Sequence, residues 1–379
     1  MIPDRRLFGD AHRLFREQVR RFFAAELTPN LERWQTAGAL PKDFWRRCGA
    51  QGLLAPTAAE AYGGVGADFL YNTVVTEELS YTGASPSGLS VHNDVVTDYI
   101  AHYGSESLKQ RLLPNMVAGD TIGAIAMTEP GTGSDLQNIR STAKPNGNGY
   151  IVSGQKTFIS NGQNAGAVIA AVKTDPNRGA KGVSLIVIED GMPGFERGRN
   201  LRKMGNKDQD TSELFFNDVK APAENLLGGE GQGFALMMQE LPQERIAIAV
   251  SAVAAAQKAY DITLDYVRER QAFGKAIADF QNTRYTLAGL KTELAAGWAF
   301  LDECLAEHLQ GRLSVTRAAM AKLWCTEMQG RVTDACVQLF GGYGYMDEYE
   351  ISRLYTAARV QRIYGGTSEI MKELIARDL

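Results

Sequence analysis

A run of small and hydroxylated residues is the first feature of this chain that could do chemistry. It extends from Thr128 to Asp135 and contains two glycines and three hydroxyl side chains. Small residues let backbone N–H groups approach a bound cofactor closely, and hydroxyls such as those of Thr128 and Ser134 can bond a polar edge of it. The same residue types dominate ordinary turns, so a plain loop remains the alternative.

Arg270 is a second candidate, for phosphate binding. A guanidinium is always charged, and its fork of donors suits a pyrophosphate better than a lysine does. Arg270 belongs to the charged run Arg268-Glu269-Arg270, for which an exposed surface is the ordinary reading. The aromatic residue and glycine that follow at Phe273 and Gly274 favour binding.

Three glycine-rich segments could suggest a nucleotide site, at residues 63–66, 228–233 and 341–344. None has the GxGxxG spacing within a strand–turn–helix unit, and the chain has no GxxxxGK[ST] sequence. If the protein holds a dinucleotide, it uses another architecture.

Histidine and cysteine usage excludes several enzyme classes. The four histidines form no HExxH pair, and no GxSxG elbow is present, so metalloprotease and hydrolase chemistry lack their motifs. The four cysteines show no CxxC spacing and are expected to be reduced packing residues. We therefore predict no metal site, and we expect each histidine to be structural or exposed.

Composition indicates a globular chain of two or three domains. The 379 residues include 40 Lys and Arg against 44 Asp and Glu, a net charge of −4 that is too balanced for a nucleic-acid binder. The 44% of hydrophobic residues can fill a sizeable core. The longest apolar stretch, Ile246 to Ala256, is shorter than the roughly 20 residues that span a bilayer, and no signal peptide is evident. We expect no membrane span and a cytoplasmic location.

The residue pattern divides the chain into three stretches. Helical periodicity runs from Leu7 to about Ala118, short β-rich runs separated by turn residues follow to about Leu226, and long helices resume afterwards. This pattern predicts an α+β protein with an N-terminal α-helical domain (1–120), a middle antiparallel β barrel or sandwich (121–228) and a C-terminal four-helix bundle (229–379).

The helices of the last stretch are predicted from their start signals. Pro242 suits the first position of a helix, where its missing N–H costs nothing, and the Ala-rich run after it allows close packing. A second helix should begin near Asp279 and a third near Val315. The stretch from Arg331 to Phe340 supplies the fourth.

Five motifs in register over about 250 residues resemble the acyl-CoA dehydrogenase family. They are Met127-Thr128-Glu129-Pro130-Gly131-Thr132-Gly133-Ser134-Asp135, Gly154-Gln155-Lys156-Thr157-Phe158-Ile159-Ser160-Asn161-Gly162, Arg270-Gln271-Ala272-Phe273-Gly274-Lys275 with Phe280-Gln281, Gln338-Leu339-Phe340-Gly341-Gly342-Tyr343-Gly344, and Ile363-Tyr364-Gly365-Gly366-Thr367-Ser368-Glu369-Ile370. The order of helical, β and helical stretches also agrees with that family. The resemblance is greatest to its long-chain branch.

The resemblance implies an FAD enzyme that desaturates an acyl-CoA thioester at its α,β bond, with hydride passing to flavin N5. Phe158 corresponds to an aromatic residue packed against the flavin, and Ser160 to a hydrogen-bond donor to N5. The residues that the resemblance places at the cofactor are Met127, Thr128, Gly133, Ser134, Phe158, Ile159, Ser160, Arg270, Phe273, Gln281, Gln338, Gly341, Gly342, Thr367, Ser368 and Glu369.

The family's usual base is absent from its usual position. In much of the family a Glu follows the Tyr of an Ile-Tyr-Glu-Gly-Thr motif, and here that position is Gly365. The long-chain and isovaleryl branches carry the base on the first long helix of the C-terminal domain, which implies Glu244. The alternative is an acidic residue that merely favours the first turn of a helix, where the dipole should also favour its ionised form.

Gly365 can keep part of the catalytic role. Its backbone N–H can still point at the thioester carbonyl, and the missing side chain should leave space for a bulkier or branched acyl group. Arg245 should help to hold the acyl-CoA or its active-site surroundings, with a surface ion pair as the alternative. The residues expected at the substrate are Ser134, Pro242, Gln243, Arg245 and Gly366.

The resemblance also implies partners. In the family, residues matching Arg270, Gln281 and the loop from Gln338 to Gly342 reach the FAD of a neighbouring subunit, which implies a homotetramer built as a dimer of dimers. The expected reaction converts a medium-chain, long-chain or branched acyl-CoA to the trans-2-enoyl-CoA, with electrons passed to an electron-transferring flavoprotein. An acyl-CoA oxidase and a non-catalytic flavin-binding assembly factor remain the alternatives.

Overall fold

The computed structural model describes residues 1–379 and confirms the α+β class. The helices are α1 (Asp10–Glu26), α2 (Leu31–Ala37), α3 (Lys42–Ala50), α4 (Phe69–Tyr81), α5 (Ser87–Ser90), α6 (Thr97–Tyr103), α7 (Glu106–Ala118), α8 (Gly233–Glu269), α9 (Gln281–Leu309), α10 (Val315–Phe340), α11 (Glu350–Gln361) and α12 (Ser368–Ala376). The strands are β1 (Ile122–Ala126), β2 (Thr142–Asn146), β3 (Gly149–Ser160), β4 (Ala165–Lys173), β5 (Val183–Glu189), β6 (Phe195–Asn200), β7 (Thr211–Pro222), β8 (Leu226–Leu227), β9 (Gln271–Ala272) and β10 (Lys275–Ala276). A π-helix, Val91–Val96, connects α5 to α6.

The N-terminal helices have clear start and stop signals. The Ser105 side chain accepts a hydrogen bond from the Leu108 N–H and caps α7, which ends at Gly119 in the left-handed region (φ 80°). On α1, Val19 and Phe23 are fully buried, four residues apart on one face. This face packs in a hydrophobic core of 19 residues formed mainly by the first five helices.

The middle of the chain forms one eight-stranded sheet in the order β6-β7-β3-β2-β4-β5-β8, with β1 beside β4. The β4 strand is buried on both faces: Ala167 and Ile169 pack toward α6 and α7, whereas Val168 and Ala170 pack in a second core on the other face. Most strand pairs are antiparallel, but β1 and β2 each pair with β4 in parallel. The sheet is therefore mixed.

The helix α8 begins earlier than the sequence predicts. It starts at Gly233, and Pro242 lies inside it, so the expectation that Pro242 occupies the first helical position is wrong. Leu236 and Met237 are buried in the core between the sheet and α6 and α7. Their burial favours helix before Pro242 despite the lost backbone hydrogen bond.

The C-terminal bundle is built around α8, whose residues Ile246 to Ala256 are all buried. α10 begins at Val315, as predicted, and α9 begins at Gln281, two residues after the predicted point. The stretch from Arg331 to Phe340 continues α10 and is not a separate helix, so that expectation is wrong. The bundle is completed by α11 and α12.

All four cysteines are buried and unpaired, as predicted. They are Cys48, Cys304, Cys325 and Cys336. No helix has the length and apolar character needed to cross a membrane.

Candidate active site

Glu244 lies on α8, about three turns from the first residue of the helix at Gly233. Its side chain is partly buried, and the Tyr99 hydroxyl donates a hydrogen bond to its Oε1 at 3.1 Å. The helix dipole acts mainly within the first turn. The expectation that a first-turn position favours the ionised form of Glu244 is therefore wrong.

Burial instead raises the pKa of the Glu244 carboxyl to about 7. The Tyr99 hydrogen bond and the charge of Arg245 act in the opposite direction, and the charge of Glu240 adds to the effect of burial. A carboxyl with a pKa near neutral pH is a stronger base than an ordinary glutamate and is still substantially ionised. These properties suit a group that must take a proton.

Gly365 lies in the loop between α11 and α12 and faces the same side of α8 as Glu244. A Cβ at Gly365 would overlap Cδ1 of Ile248, which follows Glu244 by four residues and so lies one turn further along the same face. The space expected beside Gly365 is absent, because Ile248 fills it. The positive φ of Gly365 (63°) also disfavours any side chain there.

Lys322, on α10, holds the loop that contains Gly365. Its Nζ donates to the carbonyl oxygen of Gly366 at 2.6 Å, and the lysine is fully buried. Burial and the nearby charge of Arg245 lower the pKa of Lys322 to about 8. Because Gly365 and Gly366 both have positive φ and no side chain, this hydrogen bond fixes an otherwise permissive segment.

Arg245 is buried, with only 4% of its surface exposed, and it forms no salt bridge. The surface ion pair considered as an alternative is therefore wrong. Its Nε has no hydrogen-bond partner within the chain, and burial lowers the pKa of its guanidinium, with Glu244 opposing. A buried donor without a partner costs free energy, so Arg245 is held in this position at a cost to stability.

Gln243 uses both ends of its amide within the protein. Its Nε2 donates to the carbonyl oxygen of Asp94 at 2.9 Å and also to the Asp98 carboxylate, and its Oε1 lies 3.1 Å from Nε2 of His308. Gln243 therefore holds α8 against the π-helix, α6 and α9. Pro242, beside it, is partly exposed.

The predicted cofactor loop follows β1 directly. Backbone hydrogen bonds between Glu129 and Thr132, of 2.9 and 3.0 Å, close it into a tight turn. Met127 and Thr128 are partly exposed, and Gly133 and Ser134 are exposed. The structure thus leaves these four predicted residues accessible on one loop.

Two residues that support this loop, Lys156 and Glu129, are not among the site residues predicted from the sequence. Lys156 on β3 donates to the carbonyl oxygen of Met127 at 3.0 Å and to the Glu129 carboxylate at 2.9 Å, and Glu129 also accepts from two backbone N–H groups. Burial lowers the pKa of Lys156 to about 8. Burial opposes ionisation of Glu129, but Lys156 and the N–H donors hold the pKa of Glu129 below its usual value. Their position inside two motifs was the available signal.

The end of β3 presents an aromatic residue in an unusual conformation. Phe158 has φ 61° and is 67% exposed, at a point where the pairing of β3 with β7 shifts register. A bulge of this kind redirects a side chain, and a bulky residue at positive φ is strained. Ser160 is partly exposed, whereas the side chain of Ile159 is buried in the sheet core. Only the backbone of Ile159 could therefore touch a cofactor.

The space around Gly131 and Gly133 shows whether this surface fits a flat cofactor such as a flavin. A Cβ at either glycine would meet no atom within 4 Å, and neither has a positive φ. No contact within the chain therefore requires glycine at these positions. An open backbone surface beside an exposed aromatic ring fits the isoalloxazine of FAD.

A second group of predicted cofactor residues gathers at the far end of the bundle, where α8 and α10 end. Tyr266 stacks on Phe340 there, and Arg270 lies 5.6 Å from the centre of the Tyr343 ring. Phe273 has φ 52° and is 96% exposed. The predicted residues exposed at this end are Arg270, Phe273, Gln281, Gln338, Gly341 and Gly342.

The group around Arg270 lies far from Glu244 within one chain. Arg270 immediately follows the end of α8 and comes 26 residues after Glu244, which corresponds to about 39 Å of helix rise. The structure therefore brings Glu244 and Gly365 together but leaves Arg270 remote from them.

The last predicted segment caps α12. Thr367 accepts a hydrogen bond from the Ile370 N–H, and the hydroxyl of Ser368 donates to Glu327 at 2.7 Å. Ser368 is buried, Thr367 is partly exposed and Glu369 is exposed. The backbone N–H groups at this helix start suit an anionic group.

Comparison with protein families identifies the whole chain. Models of the N-terminal, middle and C-terminal domains of acyl-CoA dehydrogenase match residues 9–120, 124–219 and 231–379. Long-chain specific acyl-CoA dehydrogenase from pig mitochondria is 49% identical over 380 residues, which covers 100% of this chain and 88% of the pig protein.

Solved structures of acyl-CoA dehydrogenases share this fold over nearly the whole chain. An acyl-CoA dehydrogenase from Geobacillus kaustophilus is 48% identical, has a TM-score of 0.97 and matches over 99% of both chains. A glutaryl-CoA dehydrogenase from Mycobacterium smegmatis in complex with FADH2 is 28% identical, with a TM-score of 0.92, over 98% of this chain and 95% of that chain.

Proposed function

This chain belongs to the acyl-CoA dehydrogenase family, and we propose that it oxidises medium-chain, long-chain or branched acyl-CoA to the trans-2-enoyl-CoA with Glu244 as the base. The observation that carries this proposal is the position of Glu244, a partly exposed carboxylate on the same face of α8 as Gly365. Because its relatives are enzymes, the non-catalytic assembly factor is set aside. No observation favours the oxidase.

Glu244 takes the α-proton. Tyr99 bonds Oε1, which leaves Oε2 free to accept the proton from the α-carbon. The electron pair of that C–H bond passes toward the thioester carbonyl, where the N–H of Gly365 would stabilise the developing negative charge. Lys322 keeps the loop of Gly365 in place through the Gly366 carbonyl.

FAD, when bound, supplies the two-electron acceptor for the β-hydride. The chain would hold its ring system on the loop from Met127 to Ser134 and beside Phe158, the accessible surface described above. Thr367 and Glu369 would contact it from the start of α12. The residue set proposed for the cofactor is otherwise the one named from the sequence, with Ile159 restricted to its backbone.

The acyl-CoA would lie along α8. Arg245, which is buried next to Glu244 on α8, is proposed to hold the protein groups around the thioester, and Ser134, Pro242 and Gly366 to line its path. Gln243 would act on the substrate through its hold on α8, because its amide is already bonded. Long chains are favoured by the likeness to the pig enzyme and not by space at Gly365, which Ile248 fills.

We propose a homotetramer in which a neighbouring subunit supplies Arg270, Phe273, Gln281 and the loop from Gln338 to Gly342 to each FAD. The separation of about 39 Å within one chain supports this arrangement. An apolar groove between α9, α10 and α12 is further surface that a second copy would cover; it is lined by Phe300, Met320, Leu323, Trp324 and Ile375.

Three other features are proposed on the family pattern. Domain boundaries fall at residues 120 and 228, and an electron-transferring flavoprotein is the electron acceptor. A cytoplasmic location is also proposed, although the pig relative is mitochondrial.

Anaerobic titration of the FAD-loaded protein with acyl-CoA thioesters of graded length and branching tests the reaction and its specificity. Bleaching of the flavin by long-chain substrates at stoichiometric amounts is expected. A flavin that no acyl-CoA bleaches would reject the proposed reaction, and rapid peroxide formation in air would favour the oxidase.

A further inference from the structure

A second carboxylate lies one helical turn before Glu244 on α8. Glu240 is buried (8% exposed), and its Oε1 accepts a hydrogen bond from the Tyr103 hydroxyl at 2.6 Å and lies 2.9 Å from Nδ1 of His102. The spacing of four residues places the carboxylates of Glu240 and Glu244 on one face of the helix.

The helix α6 supplies a tyrosine to each carboxylate. Tyr99 donates to Glu244 and Tyr103, four residues later, donates to Glu240. Two tyrosines one turn apart on α6 thus pair with two glutamates one turn apart on α8. The two tyrosine rings lie 6.1 Å apart and form an edge contact that fixes both.

We propose that Tyr99 and Glu240 are positioning residues for Glu244, Tyr99 by fixing one carboxylate oxygen and Glu240 by keeping a negative charge one turn away. This inference rests on the proposed role of Glu244 as the base. Tyr99 is itself fully buried, so it has little freedom to turn away from the carboxylate.

The two residues act on the proton affinity of Glu244 in opposite directions. A hydrogen bond to a carboxylate stabilises its charged form, and a like charge nearby destabilises it. Accordingly, Tyr99 lowers the pKa of Glu244 and Glu240 raises it. Glu240 remains ionised, because the hydrogen bonds from His102 and Tyr103 outweigh the effect of burial and hold the pKa of Glu240 below its usual value.

Other charged and titratable groups surround this pair, and His102, Tyr103, Asp98 and His308 respond to the charge of Glu240. The surrounding groups are Asp94 on the π-helix, Asp98, His102 and Tyr103 on α6, Arg245 on α8, His308 on α9 and Lys322 on α10. Of these, His102 has the most exposed side chain, at 52%, and its protonation would cancel part of the Glu240 charge.

The test measures how the rate of anaerobic flavin reduction depends on pH in Tyr99→Phe and Glu240→Gln. Each variant is measured at a saturating and at a limiting concentration of acyl-CoA. The fall of this rate toward low pH, the acid limb of the profile, reports the protonation of the base. We expect Glu240→Gln to move this limb to lower pH and Tyr99→Phe to move it to higher pH, each by about half to one unit. Substrate dissociation constants should change less than the reduction rate.

Tyr62→Phe is the matched control, because Tyr62 also donates to a carboxylate, Glu106 at 3.0 Å, but at the surface. Its acid limb should coincide with that of the unmodified protein. Limbs that coincide for all three variants, or shifts of Tyr99→Phe and Glu240→Gln in the same direction, would overturn the inference. If one variant fails to fold, the other still decides, since each has its own predicted direction.

The proposed function fails in a different way. If Glu244 is not the base, Glu244→Gln keeps its flavin reduction, whatever the other variants do. If only the present inference is wrong, Glu244→Gln is inactive and the limbs of the other two variants stay in place.

Discussion

Ile248 occupies the position that a side chain on Gly365 would take, one turn beyond Glu244 on the same face of α8. The contact explains how the chain fills the site of the family's usual base. A base carboxylate carried by α8 and one carried by the loop before α12 would therefore lie at the same face of α8.

A base at position 365 in the Glu244→Gln protein should therefore require two further substitutions, Gly365→Glu and Ile248→Ala. We expect Gly365→Glu alone to restore little flavin reduction, because its side chain would overlap Ile248 and its backbone has a positive φ. Adding Ile248→Ala should raise the rate at least severalfold by removing the overlap. Equal rates with and without Ile248→Ala would contradict this account of the contact.

Glu244 should cost stability at neutral pH. The folded pKa of about 7 lies above the unfolded value of 4.5, so the fold favours the protonated form. Its stabilisation is present below pH 4.5 and is lost as pH rises to about 7. Glu244→Gln should thus have a free energy of unfolding about 3 kcal/mol higher than that of the unmodified protein at pH 8, with a smaller gap at pH 5. A gap that is constant with pH would contradict the raised pKa.

Phe158 should contribute to FAD binding and little to the stability of the fold. Its side chain is 67% exposed and its φ is 61°, so Phe158→Gly should leave the unfolding temperature of the FAD-free protein unchanged or higher, with about 1 kcal/mol of strain relieved. FAD binding, measured by equilibrium dialysis, should weaken at least tenfold. Val65→Ala, at a similarly exposed apolar residue outside the proposed site, should alter neither quantity.

Subunits should complement each other if the site is shared. Glu244→Gln and Arg270→Ala proteins should each be inactive, but co-expression should recover about a quarter of full activity, because half of random dimers are mixed and each holds one intact site. The reason is the separation of about 39 Å between the two residues in one chain. No recovery in mixed oligomers, verified by two different tags, would place both residues in one subunit's site.

The order of helical and β segments was predictable from the sequence, because helical periodicity and β-rich runs are local signals, whereas Glu244 was assigned as the base only through the family resemblance. The start of α8 was not predictable, since the burial of Leu236 and Met237 against distant elements outweighs the local signal of Pro242. The pKa of Glu244 is raised by burial and lowered by the hydrogen bond from Tyr99, which is 145 residues away. Such effects require the tertiary structure.

The most direct measurement is the anaerobic reduction of FAD-loaded Glu244→Gln by a long-chain acyl-CoA, followed by flavin absorbance and compared with Glu106→Gln, which removes a surface carboxylate. We expect Glu244→Gln to retain its yellow cofactor and bind substrate while its reduction rate falls at least about 100-fold. Glu106→Gln should react at the unmodified rate. Reduction of Glu244→Gln at a rate close to that of Glu106→Gln would contradict the assignment of Glu244 as the base.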